Sequence, residues 1–220
     1  MTYATLQPDT FYAQTKLAAE QIVLNAKGAD GQPLGTVLRL GAVYGSRIKG
    51  NYERLTRALA GNLGTRSQFL RKLGHVPRLP FIPVGNGLNR RTLVYDKDVG
   101  RAAVLAVFYP AAAGRVFNVT DGEFHTLKEI IESICAALGR KPPRLSLPAG
   151  PTRTLVRLLE KGSHAIGLKT PVTREMINKY TEDIAVSSQR IQTELRFKPQ
   201  YDLESGWRET VQEMRQSGEL

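Results

Sequence analysis

Residues 36–45 read TVLRLGAVYG, a nearly continuous apolar run rich in strand formers that ends in glycine. A strand lying in water on one face alternates apolar and polar residues. A strand covered on both faces, as in a parallel sheet, reads as an unbroken apolar run. This stretch is of the second kind. It predicts a buried parallel strand with neighbours on both edges and helices on both faces.

The flanking sequence supplies the helices. Residues 9–26 read as a helix capped by Asp9 or Thr10, with Leu17, Ile22, Val23 and Ala26 available for a buried face. Gly28, Gly31, Pro33 and Gly35 make the following loop. After residue 45 a helix is predicted around 51–62, FIPVG (81–85) as a short strand and GNGLN (85–89) as a turn. TLVY (92–95) reads as a strand running straight into a helix from Asp96 to Phe108. VFNVT (116–120) is another strand, and LKEIIESICAALG is a patterned helix stopped by Gly139. From about residue 142 onward short helices dominate, the last over 203–216 with Trp207 on its apolar side. Strands alternating with helices give an α/β protein with a parallel sheet and a smaller helical region.

Composition narrows the function classes. The 220 residues are 41% hydrophobic and 23% charged, the balance of a globular protein. The longest apolar stretch, AAVLAVFYPAAA (102–113), is too short to span a bilayer and is interrupted by Pro110. With no signal peptide and one cysteine, Cys135, in a helical apolar pattern, a cytoplasmic protein without disulfides is expected. The net charge of +11 gathers in Arg71, Lys72 and Arg78, in Arg90 and Arg91, and in Arg140, Lys141 and Arg144. Nucleic acid would attract such a chain, but no helix-turn-helix, zinc or aromatic-platform motif accompanies the charge, which disfavours that partner. An anionic small substrate accounts for it equally, as does an acidic remainder of the protein lying outside the chain. His75, His125 and His164 have no partners at metal-ligand spacing, so they read as surface or loop residues and no metal site is expected.

In FYAQTKLAAE (11–20), Tyr12 precedes Lys16 by four residues, which puts both on one helix face. A phenol with a pKa of about 10 is a poor base at neutral pH. A neighbouring ammonium favours the phenolate, so such a pair can move a proton on or off an alcohol. The same spacing occurs in ordinary amphipathic helices, where the tyrosine packs and the lysine is solvated.

The order of motifs decides between these. YAQTKLAAE, VLRLGAVYG, NRRTLVYDKDVGRA and GRVFNVTDGEFHTLKEII succeed one another. Together they resemble the C-terminal portion of an extended short-chain dehydrogenase/reductase of the NAD-dependent nucleotide-sugar epimerase/dehydratase group. The resemblance covers nearly the whole chain and is firmest over 9–130. It implies the C-terminal part of a Rossmann-like parallel sheet over residues 1–120, with 46–92 contributing to a substrate cap, and a mostly helical substrate-binding cap region over 121–220.

By that resemblance Tyr12 is the catalytic acid/base, and Lys16 holds the nicotinamide ribose of NAD or NADP. Gly41 lies beside the nicotinamide. Ala42 lies beside the sugar, where many relatives carry a larger or polar residue. Asn51 matches a nucleotide-sugar contact, and Arg91 the arginine that grips the diphosphate, with Arg90 taking its place if the register slips by one. Asp98 falls where relatives carry a helix-bracing aspartate. SSQRIQTELRFKP (187–199) resembles the family's tail motif, with Ser187 where aspartate is common and Arg196 where glycine is common.

The family's G-x-x-G-x-x-G dinucleotide turn and its catalytic Ser or Thr belong upstream of the tyrosine, and eleven residues precede Tyr12 here. The expectation is an oxidoreductase truncated at its N-terminus and inactive alone. Its substrate would be a nucleotide-sugar. Its partner would be a second copy, as in a homodimer, or a missing N-terminal half. The alternative is a non-catalytic, degenerate dehydrogenase-fold binding module.

Overall fold

A computed structural model describes residues 10–61, 81–148, 150–152, 154 and 182–220. The stretch 36–45 is the spine of the sheet, and it changes partners halfway. Strand β1 (Val37–Leu40) runs parallel to β5 (Val116–Val119), with Val37 opposite Val116 and Leu40 opposite Val119. Strand β2 (Ala42–Tyr44) runs parallel to β4 (Leu93–Tyr95). The exchange occurs at Gly41, whose N–H donates to Val119 O at 2.8 Å while Ala42 N–H donates to Thr92 O at 2.9 Å. A Cβ on Gly41 would sit 3.0 Å from Thr92 O and 3.3 Å from Thr120 Cγ2, so the crossing itself favours glycine. The single long strand read from the sequence is therefore two short ones. A third ladder joins β3 (Arg90–Arg91) to β6 (His125–Thr126) in antiparallel fashion, and Ile184 bridges Arg91 in parallel.

Helix α1 (Phe11–Asn25) starts at Thr10, whose hydroxyl accepts from Ala13 N–H. Helix α2 (Asn51–Leu59) follows β2. Helix α3 (Asp96–Phe108) leaves β4 without a loop and carries Asp96 and Asp98 in its first turn, where the helix dipole favours anions. Helix α4 (Leu127–Leu138) opens with a Thr126–Glu129 capping box and ends at left-handed Gly139. Two more helices, α5 (Gln189–Glu194) and α6 (Leu203–Gln216), complete the described residues; α6 has its own Asp202–Ser205 capping box.

Strand β4 shows why its sequence is wholly apolar. Leu93 and Tyr95 face a core built with Tyr44, Leu55, Ile130, Ile134, Trp207 and Val211. Val94, between them, faces a second core with Ala102, Phe117, Ile191, Leu195 and Phe197. In the first core the Trp207 ring stacks on Tyr44 at 4.5 Å, and Tyr44 meets Tyr95 at 5.4 Å. Gly206 permits this, since a methyl group there would collide with the Tyr44 ring and hydroxyl. Asp98, buried, accepts from Gln200 N–H at 3.0 Å and Tyr201 N–H at 3.1 Å, bracing α3 to the chain entering α6. Residues on both sides of position 120 thus share the same cores.

Several expectations need correction. No residue of α1 is buried, and Ile22, expected inside, is 73% exposed. The helix lies over β1, but no described residue covers its outer side. Strand β1 has one ladder, to β5, where neighbours on both edges were expected. FIPVG contributes one bridge, Val84 to Leu147, in place of a strand. His125 is a β6 residue with its side chain 13% exposed, not a surface or loop residue. His75, His164, Arg71, Lys72 and Arg78 lie outside the described residues.

Arg196 has φ 55°, in the left-handed region that favours glycine. An L-residue there costs about 1–2 kcal/mol, only part of which glycine's extra chain entropy returns. Arg196→Gly is therefore expected to stabilise the chain by about 0.5–1 kcal/mol in urea denaturation. Gly206→Ala should destabilise it by about 2 kcal/mol in the same assay, because overpacking at the Tyr44 ring outweighs the gain in helix propensity.

Candidate active site

The site begins with the tie between α1 and β1. Arg39 donates through Nε and Nη2 to the Glu20 carboxylate, at 3.0 and 2.6 Å. The connecting loop doubles back, with Leu34 N–H donating to Ala26 O, so α1 runs antiparallel to β1. From Glu20, Tyr12 lies two helical turns towards the N-terminus, about 12 Å along the axis. From Arg39, Gly41 lies two residues onward along the strand. Tyr12 and Gly41 therefore occupy the same end of the layer, beyond the carboxyl ends of β1 and β5, and open α/β sheets bind their ligands at the carboxyl ends of strands.

Tyr12 is 71% exposed, and the Lys16 ammonium sits 5.6 Å from the centre of its ring. Both side chains stand in solvent on the first two turns of the helix, held in orientation by the Thr10 cap. Gly41 and Ala42 follow at the strand exchange; Ala42 is exposed and offers no polar side-chain atom. Asn51 is the first residue of α2 and is exposed. Arg91 is half-buried in β3, its backbone between those of His125 and Ile184. Neighbouring strand residues point to opposite faces, so Arg90, exposed, projects away from Arg91. Thr92, the residue after Arg91, accepts the Ala42 N–H, which ties the arginine strand to the Gly41–Ala42 step.

The sequence reading missed the pairing of His125 with Asp121, their Nε2 and Oδ2 atoms 2.7 Å apart. Its signal was the four-residue spacing in TDGEFHT, which becomes a contact only because the turn folds back on itself. Burial works against the imidazolium, but the hydrogen bond and charge of Asp121 outweigh it and hold the His125 pKa above its ordinary value. Burial, helped by the charge of Asp121, pushes the Tyr44 phenol far above its usual range, so Tyr44 stays neutral and structural. Burial likewise raises the Cys135 thiol.

Among the described residues no group of three His, Cys, Asp or Glu side chains is placed to hold a metal ion. No described helix is long and apolar enough to cross a membrane. A cavity of about 370 Å³, lined by Leu59, Phe81, Cys135, Arg140 and Arg144 among others, contains none of the residues predicted for the site.

The profile of the NAD dependent epimerase/dehydratase family matches residues 1–120. The chain belongs to that family. It is 24% identical over 212 residues to an uncharacterized protein, YbjS, of Escherichia coli K12, covering 95% of this chain and 58% of that protein. It is 24% identical over 206 residues to UDP-glucose 4-epimerase of Vibrio cholerae, covering 93% of this chain and 54% of the enzyme. In structure it is similar to the Bordetella bronchiseptica enzyme WbmF in complex with NAD+ and UDP, with a TM-score of 0.62 and 16% identity, covering 99% of this chain and 56% of that one. The fold is accordingly the Rossmann-like α/β fold of epimerases and dehydratases, and the chain spans a little over half the length of the curated relatives it matches.

Within the family fold, the Arg39–Glu20 clasp ties α1 to the sheet alongside the half-buried Ala13, Leu17 and Leu24. Glu20→Ala is expected to cost about 1 kcal/mol locally. Amide exchange should accelerate over residues 11–25 while protection in α4 and α6 stays unchanged.

Proposed function

We propose that this chain carries the catalytic tyrosine and the substrate-binding residues of an NAD(P)-dependent epimerase/dehydratase-type oxidoreductase acting on a nucleotide-sugar. The observation that carries the reading is the Tyr12–Lys16 pair, side by side and open to solvent, at the end of the layer where β1 gives way to Gly41.

The pair fits a dinucleotide's nicotinamide end. Lys16 offers a three-donor ammonium and Tyr12 a phenol, and neither is committed to the core. When bound, the cofactor supplies the hydride chemistry. Tyr12 takes the proton from, or returns it to, the sugar hydroxyl oxygen, and Lys16 orients the ribose while its charge favours the phenolate. Gly41 would lie beside the nicotinamide, and Ala42 would meet the sugar without offering a side-chain hydrogen bond. Asn51 contacts the nucleotide-sugar. Arg91 grips the diphosphate, a task suited to a planar, permanently charged fork.

The exposure of α1 and the open edge of β1 support a further part of this proposal. Phe11 is 84% exposed and Ile22 73%, and Leu40 at the end of β1 is 43% exposed. A large apolar surface of this kind is normally covered. We take the cover to be a dinucleotide-binding part of the same fold, joined in the same polypeptide or brought by another, and these 220 residues alone to be inactive. The lone, buried Cys135 suits a reducing, cytoplasmic setting.

Joined to its dinucleotide-binding part, Tyr12→Phe should lower turnover of a UDP-sugar by about 10²–10⁴-fold with binding nearly unchanged. Arg91→Ala should weaken UDP-sugar binding by about 2 kcal/mol, measured by calorimetry. Near-normal turnover of the Tyr12 variant would rule out the mechanism and leave a binding module as the better description.

A further inference from the structure

The His125–Asp121 pair stands outside the machinery proposed above, yet it is built into the turn and strand that pair with the strand of Arg91. Its two side chains are only 13% and 2% exposed. Asp121 is fixed in place: its N–H donates to Leu93 O at 2.8 Å, and its Oδ1 accepts from Glu123 N–H at 3.2 Å. His125 belongs to β6, whose ladder partner is β3, with Arg91 directly opposite His125 and Arg90 opposite Thr126. Thr126 in turn caps α4. The turn 121–126 is thus anchored to β4 at one end and to α4 at the other, and the imidazole–carboxylate contact is the cross-tie between its arms.

We infer that His125 is a positioning residue: its protonated ring clasps Asp121, seats β6 against β3, and so holds Arg91 in place for an anionic ligand, and the hold slackens when the ring loses its proton to solvent. The inference rests on the reading of Arg91 as the diphosphate-binding residue. The charged groups around the ring are Asp121 and Glu123 of the turn and Glu129 at the start of α4; Arg91 stands opposite His125 in the ladder, and Arg90, on the other face, donates its N–H to the Asp183 carboxylate. Losing the proton turns a charge-assisted bond into one from a neutral donor, leaving a buried carboxylate with a weaker partner. The sign follows from the raised pKa of His125. The clasp is complete below about pH 6.5, the ordinary histidine value, and is lost as pH rises through the higher folded-state value.

The test uses the full 220-residue chain between pH 5.5 and 9. The His125 ring is titrated by NMR, amide protection of residues 90–91 and 125–126 is measured after correction for intrinsic exchange, and the affinity for UDP is measured by calorimetry. Protection should fall with the midpoint of the His125 titration, and UDP affinity should fall about tenfold across it. His125→Lys, which keeps a cation beside Asp121, should make both curves flat at the protected, tight-binding level. His125→Phe should be flat at the weak level; the wild-type and lysine curves decide the matter if that variant does not fold. Protection that ignores the titration of His125, with UDP still bound, overturns the clasp alone. Proton-linked protection without UDP binding at any pH overturns the diphosphate reading of Arg91, and with it the affinity arm of the inference.

Discussion

At Gly41 one stretch of chain lets go of β5 and takes hold of β4, and the rest of the structure depends on that step. It joins two parallel ladders into one surface through two hydrogen bonds, Gly41 to Val119 and Ala42 to Thr92. The approach of Thr92 O to the α-carbon of Gly41 leaves little space for a side chain. Because the step falls where β1 and β5 end and β2 and β4 begin, it also brings the Gly41–Ala42 backbone beside Thr92, the residue after Arg91. Fold and site share one constraint, a close backbone crossing at a residue without a Cβ.

The two faces of the sheet are closed by different means. On one, aromatic rings from four parts of the chain meet: Tyr44 of β2, Tyr52 of α2, Tyr95 of β4, and Trp207 of α6, with Tyr201 tilted against Tyr95. Rings of this size bury much apolar area with little loss of side-chain freedom. On the other, Phe117 and Val94 pack against Ile191, Leu195 and Phe197. Asp98 couples the two by binding the backbone just before α6. Lys97 adds surface ties to Glu209 and Glu213, which stabilise little on their own but fix the register of α6.

The contrast between the closed and open parts of the molecule has a functional reading. Helices α4 and α6 are packed and capped at both levels, while α1 keeps Phe11, Tyr12 and Ile22 in solvent. A tyrosine that moves protons needs access to its substrate and a neighbouring charge, and the first turns of α1 provide both. The same exposure leaves α1 with no fully buried residue, held by the half-buried Ala13, Leu17 and Leu24 and by a bidentate arginine–glutamate contact.

Helix and strand types were legible because they depend on local patterns. The span of α3 from Asp96 to Phe108, the stop of α4 at Gly139, and the strand over 116–119 follow from periodicity and from glycine chemistry alone. The Tyr12–Lys16 pair was legible for the same reason, since four residues on a helix fix a common face whatever surrounds it. Burial was not legible. Leu17 is half-buried, but Ile22 and Val23, expected on the same buried face, are exposed; whether a face is buried depends on what lies opposite, and that is not a local property. FIPVG has strand composition, yet pairing needs a partner in register and only Val84 finds one. The partner change at Gly41, the fold-back that brings His125 to Asp121, and the left-handed backbone of Arg196 all arise from contacts between distant segments or from turn geometry. The sequence by itself determined which segments are helix or strand and which chemical groups they carry. Only the tertiary structure decided which of those groups meet, because meeting depends on chain paths that no local pattern encodes.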